Sequence, residues 1–355
     1  MTGHESRFAR IDVRQWARAC ALGMNAALAF VCLNLGRMGK TTTTKWGATG
    51  IATHVGMSKA QARQALQALE AEGLVRSIRD GLRSIVDSGA GIFAWVPQSV
   101  VFGVEGNRVP PMELLREYAD PMLLRLFVDM YERHDLPGVG GLPPCVLHER
   151  WDKHVLFRSP AWHVVAFTSN HSLHTPLSPD DDLIRPHVVR AGASGTDNYD
   201  AWWCRCKDLR ATGLLTRVLR LAESADADAA TAITFWPAEW QGHDTPEEAR
   251  VGTAAEAVVQ AMLRKNHDAW NDVRALQATG TVVLLPLPAH MVPQATLQTV
   301  YRLRYRPHTK ETQAWYAWLS HQADVWTQAF HDVEVQWGDS ISAAEERERR
   351  EAGRI

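Results

Sequence analysis

The stretch MSKAQARQALQALEAEGLVRSIRDG, Met57 to Gly81, decides how the chain is read. Ser58 is a good N-cap and Gly73 a natural stop, so the spacing predicts a helix over residues 58–72. At 100° per residue, Ala62, Ala65, Leu66 and Leu69 fall on one narrow face, which predicts that this face packs on other helices. Lys59, Arg63, Gln64 and Gln67 fall on the remaining sides. Arg and Gln can make two-pronged hydrogen bonds to guanine and adenine edges, and Lys can meet phosphate or guanine. A face that is merely solvated usually mixes in glutamate, yet the first acid, Glu70, comes only in the last turn. Leu74 to Arg79 then has strand character, and Asp80-Gly81 is a favoured two-residue hairpin turn. Arg76, Arg79 and Arg83 cluster on that hairpin.

Working outward, Gly23 to Leu35 (GMNAALAFVCLNL) carries apolar residues at helical spacing and stops at Gly36, so it predicts a first helix. A loop rich in threonine and basic residues, RMGKTTTTKW, follows, with Lys40 and Lys45 as candidate backbone contacts. Gly47 to Gly56 predicts a short second helix closing at Gly56.

Helix, short helix, helix and basic hairpin is the arrangement of a winged helix. Its third helix enters the major groove while the wing touches the phosphate backbone or the minor groove. The segment IATHVGMSKAQARQALQALEAEGLVRSIRDG resembles the bacterial winged-helix domains of transcriptional regulators and of plasmid or mobile-element replication initiators, over about residues 10–97. The resemblance implies binding of double-stranded DNA through Lys59, Arg63, Gln64, Gln67 and the wing arginines Arg76, Arg79 and Arg83. A winged helix used only for protein contacts is the alternative, because a fold alone does not fix a function.

Charge agrees with that placement. Residues 1–100 hold 12 Lys and Arg against 6 Asp and Glu, while residues 101–355 hold 26 against 34, under a total of −2. Hydrophobic residues at 46% and charged residues at 22% predict a soluble globular protein, and 355 residues suffice for two or three domains. Five cysteines without framework spacing predict reduced thiols in a cytoplasm. The charged start MTGHESRFARIDVRQW lacks the apolar core of a signal peptide, and Ala17 to Leu35 is interrupted by Gly23, Asn25 and Asn34, so no membrane span is expected.

A weak internal repeat follows. LQALEAEGLV from Leu66 recurs in outline as CKDLRATGLL from Cys206, aligning Leu69 with Leu209, Ala71 with Ala211, Gly73 with Gly213 and Leu74 with Leu214. A second winged helix is therefore expected, with its third helix at about Asp200–Thr212, earlier helices within Met112–Tyr118 and Pro121–Arg133, and strands in LTRVLRLAE and TAITFW. In this copy Trp203 and Cys204 stand where Arg63 and Gln64 stand in the first, and the turn carries Asp226 and Asp228. An acidic wing is repelled by phosphate, so dimerisation or packing is expected of it. Residues 136–198 between its parts read as a long insertion of irregular loops.

Residues 245–340 read as a third unit: a helical stretch from Glu247 to Leu276, a buried strand TVVLLPLP ended by prolines, and TVYRLRYRPHTK. As a strand, the last would set Tyr301, Leu303 and Tyr305 on one face and Arg302, Arg304 and Arg306 on the other. That basic stripe is either a second nucleic-acid surface or the exposed side of a sheet. Trp315, Trp318 and Phe330 at helical spacing predict core, and AAEERERREAGRI a charged helical or disordered tail.

LGRMGKTT has Asn34 where a phosphate-binding loop needs its first glycine, and a helix rather than a strand in front, so no nucleotide site is expected. Cys204 and Cys206 lack clear Cys-x-x-Cys partners for zinc, and no catalytic constellation is recognisable. The expectation is an α+β, mostly helical protein with tandem winged-helix domains and a C-terminal accessory α/β domain. Its divisions are 1–100, 108–240, 245–340 and a charged tail 341–355. It is expected to act without cofactor, metal or catalysis, as a homodimer, in transcription regulation or replication initiation of a mobile element. A non-catalytic subunit of a larger DNA-acting or defence complex, making mainly protein contacts, is the alternative.

Overall fold

A computed structural model of the chain describes residues 8–37, 41–79, 81–104, 109–135, 141–142, 148–174, 183–191, 196–222, 232–236, 245–264, 266–306 and 309–352. The fold is α+β and divides into two compact units that the chain visits alternately. The first comprises Met1–His134, Leu177–Thr216 and Leu303–Gln313; the second comprises Asp135–Pro176, Arg217–Arg302 and Ala314–Ile355. Three consecutive domains divided near residues 100 and 240 were expected, and this division differs. The physical reason is strand pairing, since strands from either side of residue 240 share one sheet.

The chain opens with β1 (Phe8–Asp12), α1 (Val13–Ala21) and α2 (Met24–Leu35). Residues 26–34 of α2 are all buried, including Asn34, whose Nδ2 donates to the Phe30 carbonyl at 2.9 Å. A helix that is buried all round is the central element of its unit. After it come β2 (Thr43–Thr44), α3 (Ala48–Val55), α4 (Lys59–Ala71), β3 (Val75–Arg79) and β4 (Leu82–Ile85). The last two strands and β2 form an antiparallel sheet in the order β2-β4-β3, with Thr43 opposite Ser84 and Arg76 opposite Ser84 from the other side. β5 (Phe93–Pro97) pairs with β1, and α5 (Ser99–Phe102), α6 (Pro111–Glu117) and α7 (Pro121–Arg133) follow. Asp120 caps α7 by accepting from the Met122 amide at 2.8 Å.

The chain then supplies β6 (His148–Arg158) and β7 (Trp162–His174) to the second unit. These pair along almost their whole length, so over 148–174 the irregular loops expected for 136–198 give way to a long hairpin. Its β-branched and aromatic run Trp162 to Thr168 pairs on both sides, with β6 and with a later strand. The first unit resumes with a short 3-10 turn at Arg185–His187, β8 (Val189–Ala191), β9 (Thr196–Asn198) and α8 (Tyr199–Ala211).

The second unit continues with β10 (Leu215–Ala222, of which Arg217 onward belongs to it), β11 (Ala232–Trp236), α9 (Pro246–Leu263), α10 (His267–Gln277), β12 (Thr281–Pro288), β13 (Thr296–Leu303) and α11 (Lys310–Ala352). The stretch of helical periodicity forms two helices, and Asn266 caps α10 by accepting from the Ala269 amide at 3.0 Å. Two sheets result, ordered β12-β7-β6 and β11-β10-β13. Among the described residues β12, with Pro286 and Pro288, pairs only with β7, as prolines require of an edge strand. Val164, Val165, Phe167, Leu219, Val258, Leu285 and Phe330 lie in the core of this unit. The tail read as helical or disordered continues α11 to Ala352. Among the described residues no helix is long and apolar enough to cross a membrane.

Candidate nucleic-acid interface

The candidate surface is built on α4. Ser58 Oγ accepts from the Gln61 amide at 3.1 Å and Gln61 Oε1 accepts from the Ser58 amide at 2.9 Å, a reciprocal cap that satisfies two otherwise orphaned donors. At the other end Gly73 adopts φ +75°, and the Leu74 amide donates back to the Leu69 carbonyl at 3.0 Å. Both boundaries fall within a residue of the expected 58–72. Ala62, Ala65, Leu66 and Leu69 are buried, while Lys59, Arg63, Gln64 and Gln67 are exposed. The helix therefore offers one continuous face of two cations and two amides.

The helix has acids only where it ends, and both are occupied. Arg18 on α1 donates from Nη2 to Glu72 Oε1 and to the Glu72 carbonyl, each at 2.8 Å, and from Nε to Oε1 at 3.1 Å. Arg83 on β4 donates from Nε to Glu70 Oε1 at 3.2 Å and from Nη1 to the Trp46 carbonyl at 3.5 Å. Arg83 thus ties the hairpin to α4 and to the loop before α3, and its charge is already met. It is placed as a clamp rather than as an open cation. Arg18 was not singled out from the sequence, because its partner lies 54 residues away.

On the hairpin Arg76 and Arg79 are exposed, as is Lys45 just after β2. Among the described residues none of Lys45, Lys59, Arg63, Arg76 and Arg79 forms an ion pair. Gly81 supplies the positive φ of +75° that the turn needs, while Asp80 and Lys40 lie outside the described residues. The threonine run read as a loop instead makes β2, and Thr42 Oγ1 and Ser84 Oγ share a hydrogen bond at 3.2 Å. The β-branched side chains there were the available signal. Trp46 stacks on His54 at 4.8 Å, fixing that loop against α3.

The second basic stripe is corrected. Arg302 is fully buried in the second unit, its Nη1 2.5 Å from Glu248 Oε1 and its guanidinium over the Trp315 ring at 4.7 Å. Arg306 is also buried, and of the three only Arg304 is exposed. β13 is covered on both sides, so alternate residues do not separate into a wet and a dry face. In the same unit Arg220 is buried too, its Nε donating to Gln298 Oε1 at 3.2 Å. Burial, and then the neighbouring Arg302, lower its pKa to about 10.

The repeat reappears as geometry. α8 and α4 have 13 residues each, and with Lys59 aligned to Tyr199 the buried positions 62, 65, 66 and 69 correspond to buried Trp202, Arg205, Cys206 and Leu209. Gly213 has φ +70°, and Leu214 N donates to the Leu209 carbonyl at 2.9 Å, the same closure as at Leu74. β10 and β11 pair antiparallel beyond it, while the acidic turn with Asp226 and Asp228 lies outside the described residues.

Comparison of the chain with protein-family models, with curated proteins and with solved structures yields no match.

Proposed function

We propose that this chain is a DNA-binding protein whose first unit carries a winged helix, with α2, α3 and α4 as its helices, β2 as its first strand and β3-β4 as the wing. The observation that carries the reading is the face of α4. It exposes Lys59, Arg63, Gln64 and Gln67 beside the exposed hairpin arginines Arg76 and Arg79, while the two acids at its end are held by Arg18 and Arg83. In this reading α4 lies in the major groove with Arg63, Gln64 and Gln67 at base edges. Lys45, Lys59, Arg76 and Arg79 meet phosphates and set the register. The protein acts by binding, as a regulator of transcription or an initiator of replication on a mobile element. α8, with the same closure and burial pattern, is the third helix of a second winged helix that has lost the cationic face.

The test is a fluorescence-anisotropy titration against random duplex and against fragments of the element that encodes the chain. A fragment bound at least roughly a thousandfold more tightly than random duplex supports a specific regulator or initiator. Absence of binding to any duplex refutes the reading. A second reading, a subunit making mainly protein contacts, draws on an aromatic pair on the β1-β5 ribbon. Phe8 and Trp95 meet edge to face at 4.9 Å and are 39% and 44% exposed. Copurifying subunits with weak, sequence-blind DNA binding would favour it.

A further inference from the structure

The closures that end α4 and α8 share a backbone and differ in what an arginine finds there. At the end of α4, Arg18 grips a carboxylate of the chain itself, donating to Glu72 Oε1 and to the Glu72 carbonyl at 2.8 Å each. With α8 aligned on α4, Glu72 corresponds to Thr212, so the second closure has no carboxylate at that position. An arginine stands there all the same. A β-carbon at Gly213 would lie 3.4 Å from Arg304 Nη1, and the Arg304 amide donates to the Leu214 carbonyl at 3.1 Å. Arg304 is exposed, and among the described residues its guanidinium forms no ion pair. The dipole of α8 favours a cation at this end without neutralising it. Beside Arg304 lies a cavity of about 160 Å³, lined entirely from the first unit. Pro111 and Leu114 of α6 and Leu214 give it apolar lining, Thr212 and Gly213 polar lining, and among the described residues no acidic side chain lines it.

We infer that this cavity binds a small organic carboxylate, whose carboxyl group meets Arg304 as the Glu72 side chain meets Arg18. The planar guanidinium fork matches a carboxylate through two parallel hydrogen bonds. The volume suits the rest of such a ligand, since a cavity of about 150 Å³ takes a benzene-sized body. A carboxylate bearing one ring or a short aliphatic chain therefore fits, with its apolar part against Pro111, Leu114 and Leu214. Phosphate is a poorer match. Thr212 donates its hydroxyl hydrogen to the Asp208 and Leu209 carbonyls at 3.0 Å, and the Gly213 and Leu214 amides donate to the Arg210 and Leu209 carbonyls at 2.9 Å. Arg304 is the only cation among the described lining residues, so the further oxygens of a phosphate would face apolar walls unpaired. One charge-assisted contact and about ten heavy atoms correspond to a Kd of about 1–10 mM.

The test uses the full chain without DNA, so its outcome is separate from that of the DNA reading. Ligand-observed NMR titrations follow butyrate and benzoate, with inorganic phosphate as a competitor at matched ionic strength. The expected result is saturable binding of one or both carboxylates, the stronger of the two showing whether the cavity takes a chain or a ring. Arg304→Met should weaken that binding at least roughly tenfold. Thr212→Glu should abolish it, because the chain then supplies its own carboxylate to Arg304, whereas Thr212→Ser should leave it unchanged. A circular-dichroism melt checks that each variant is folded, and Arg304→Met decides the matter if Thr212→Glu is not. Absence of binding by both carboxylates at about 20 mM overturns the inference. So does binding that survives Arg304→Met or a folded Thr212→Glu, and so does phosphate that displaces the bound carboxylate at equal concentration.

Discussion

Arg79 and Arg83 lie on the same hairpin and look equivalent in sequence, yet they should behave differently in a salt titration. Arg79 is exposed and has no ion-pair partner among the described residues, whereas Arg83 is held by Glu70 at 3.2 Å. If Lys45, Lys59, Arg76 and Arg79 each neutralise one phosphate, log K falls with log salt at a slope of about −3.6. Between about 50 and 200 mM salt that is a loss of about 150-fold. Arg79→Ala reduces the slope to about −2.7 and the loss over the same range to about 40-fold, alike for every sequence. Arg83→Met combined with Glu70→Gln removes a cation and an anion together, so the slope should stay at its original value. Arg63→Ala should instead cost about 1–3 kcal/mol on the preferred sequence and little on random duplex. Anisotropy at five or six salt concentrations on one preferred and one random duplex measures all three. An unchanged slope in Arg79→Ala, or a reduced slope in the paired variant, would refute the assignment of free and clamped cations.

Three further outcomes follow from the packing. Arg302→Met leaves Glu248 buried without its partner and should lower stability by roughly 3–5 kcal/mol, with Arg302→Met/Glu248→Met milder, as read from urea unfolding midpoints; equal midpoints for the single and double variants would contradict this. Burial raises the Asp12 pKa, but hydrogen bonds from Ser88 Oγ at 2.6 Å, the Gln15 amide at 3.1 Å, the Ser88 amide at 2.8 Å and the Arg14 amide at 3.0 Å together outweigh it and hold the carboxyl below its ordinary value. Because the folded value is depressed, the stabilisation is complete above the unfolded carboxylate range and disappears as pH falls through the folded value, below about pH 4. Asp12→Asn should therefore flatten the acid limb of a Tm-against-pH curve, and an unaltered limb would count against the capping role. Burial raises the Cys20 and Cys206 thiols and pushes Cys32 up to about 12, so at about pH 8 an aromatic disulfide reagent should modify Cys204 and reach those three only on unfolding. Prompt reaction of Cys206 in the folded chain would show that α8 packs differently.

What was legible in the sequence was periodicity. The buried set Ala62, Ala65, Leu66 and Leu69 and the boundaries at Ser58 and Gly73 follow from local rules about helix faces and caps, and the structure has them. The same holds for the helix start at Pro121 and for the glycine closures at Gly73 and Gly213. Strand pairing was less legible. The β6-β7 hairpin lies where histidine, proline and aspartate suggested loops, because its strands are fixed by partners far along the chain, such as β12. Interleaving of the two units was invisible for the same reason: pairing of β10 with β13 leaves no mark on either segment.

Charge was the least legible property, and it is the one on which the functional reading depends. An arginine in a sequence is a cation of unknown commitment. Arg302 and Arg304 alternate along one basic run, yet the first is fully buried against Glu248 and Trp315 while the second is exposed. Arg18 and Arg83 spend their charge on Glu72 and Glu70, and in doing so remove the repulsion that those carboxylates would exert on a phosphate approaching the end of α4. A polyanion responds to the charge that is left after internal pairing. Lys59 and Arg63 on α4 and Arg76 and Arg79 on the β3-β4 hairpin are exposed cations that form no ion pair among the described residues, whereas the aligned helix α8 has Tyr199 and Trp203 at the positions of Lys59 and Arg63. Two helices with the same closure and burial pattern therefore differ in exposed charge, and the first bears the cations on which the proposed DNA contact rests.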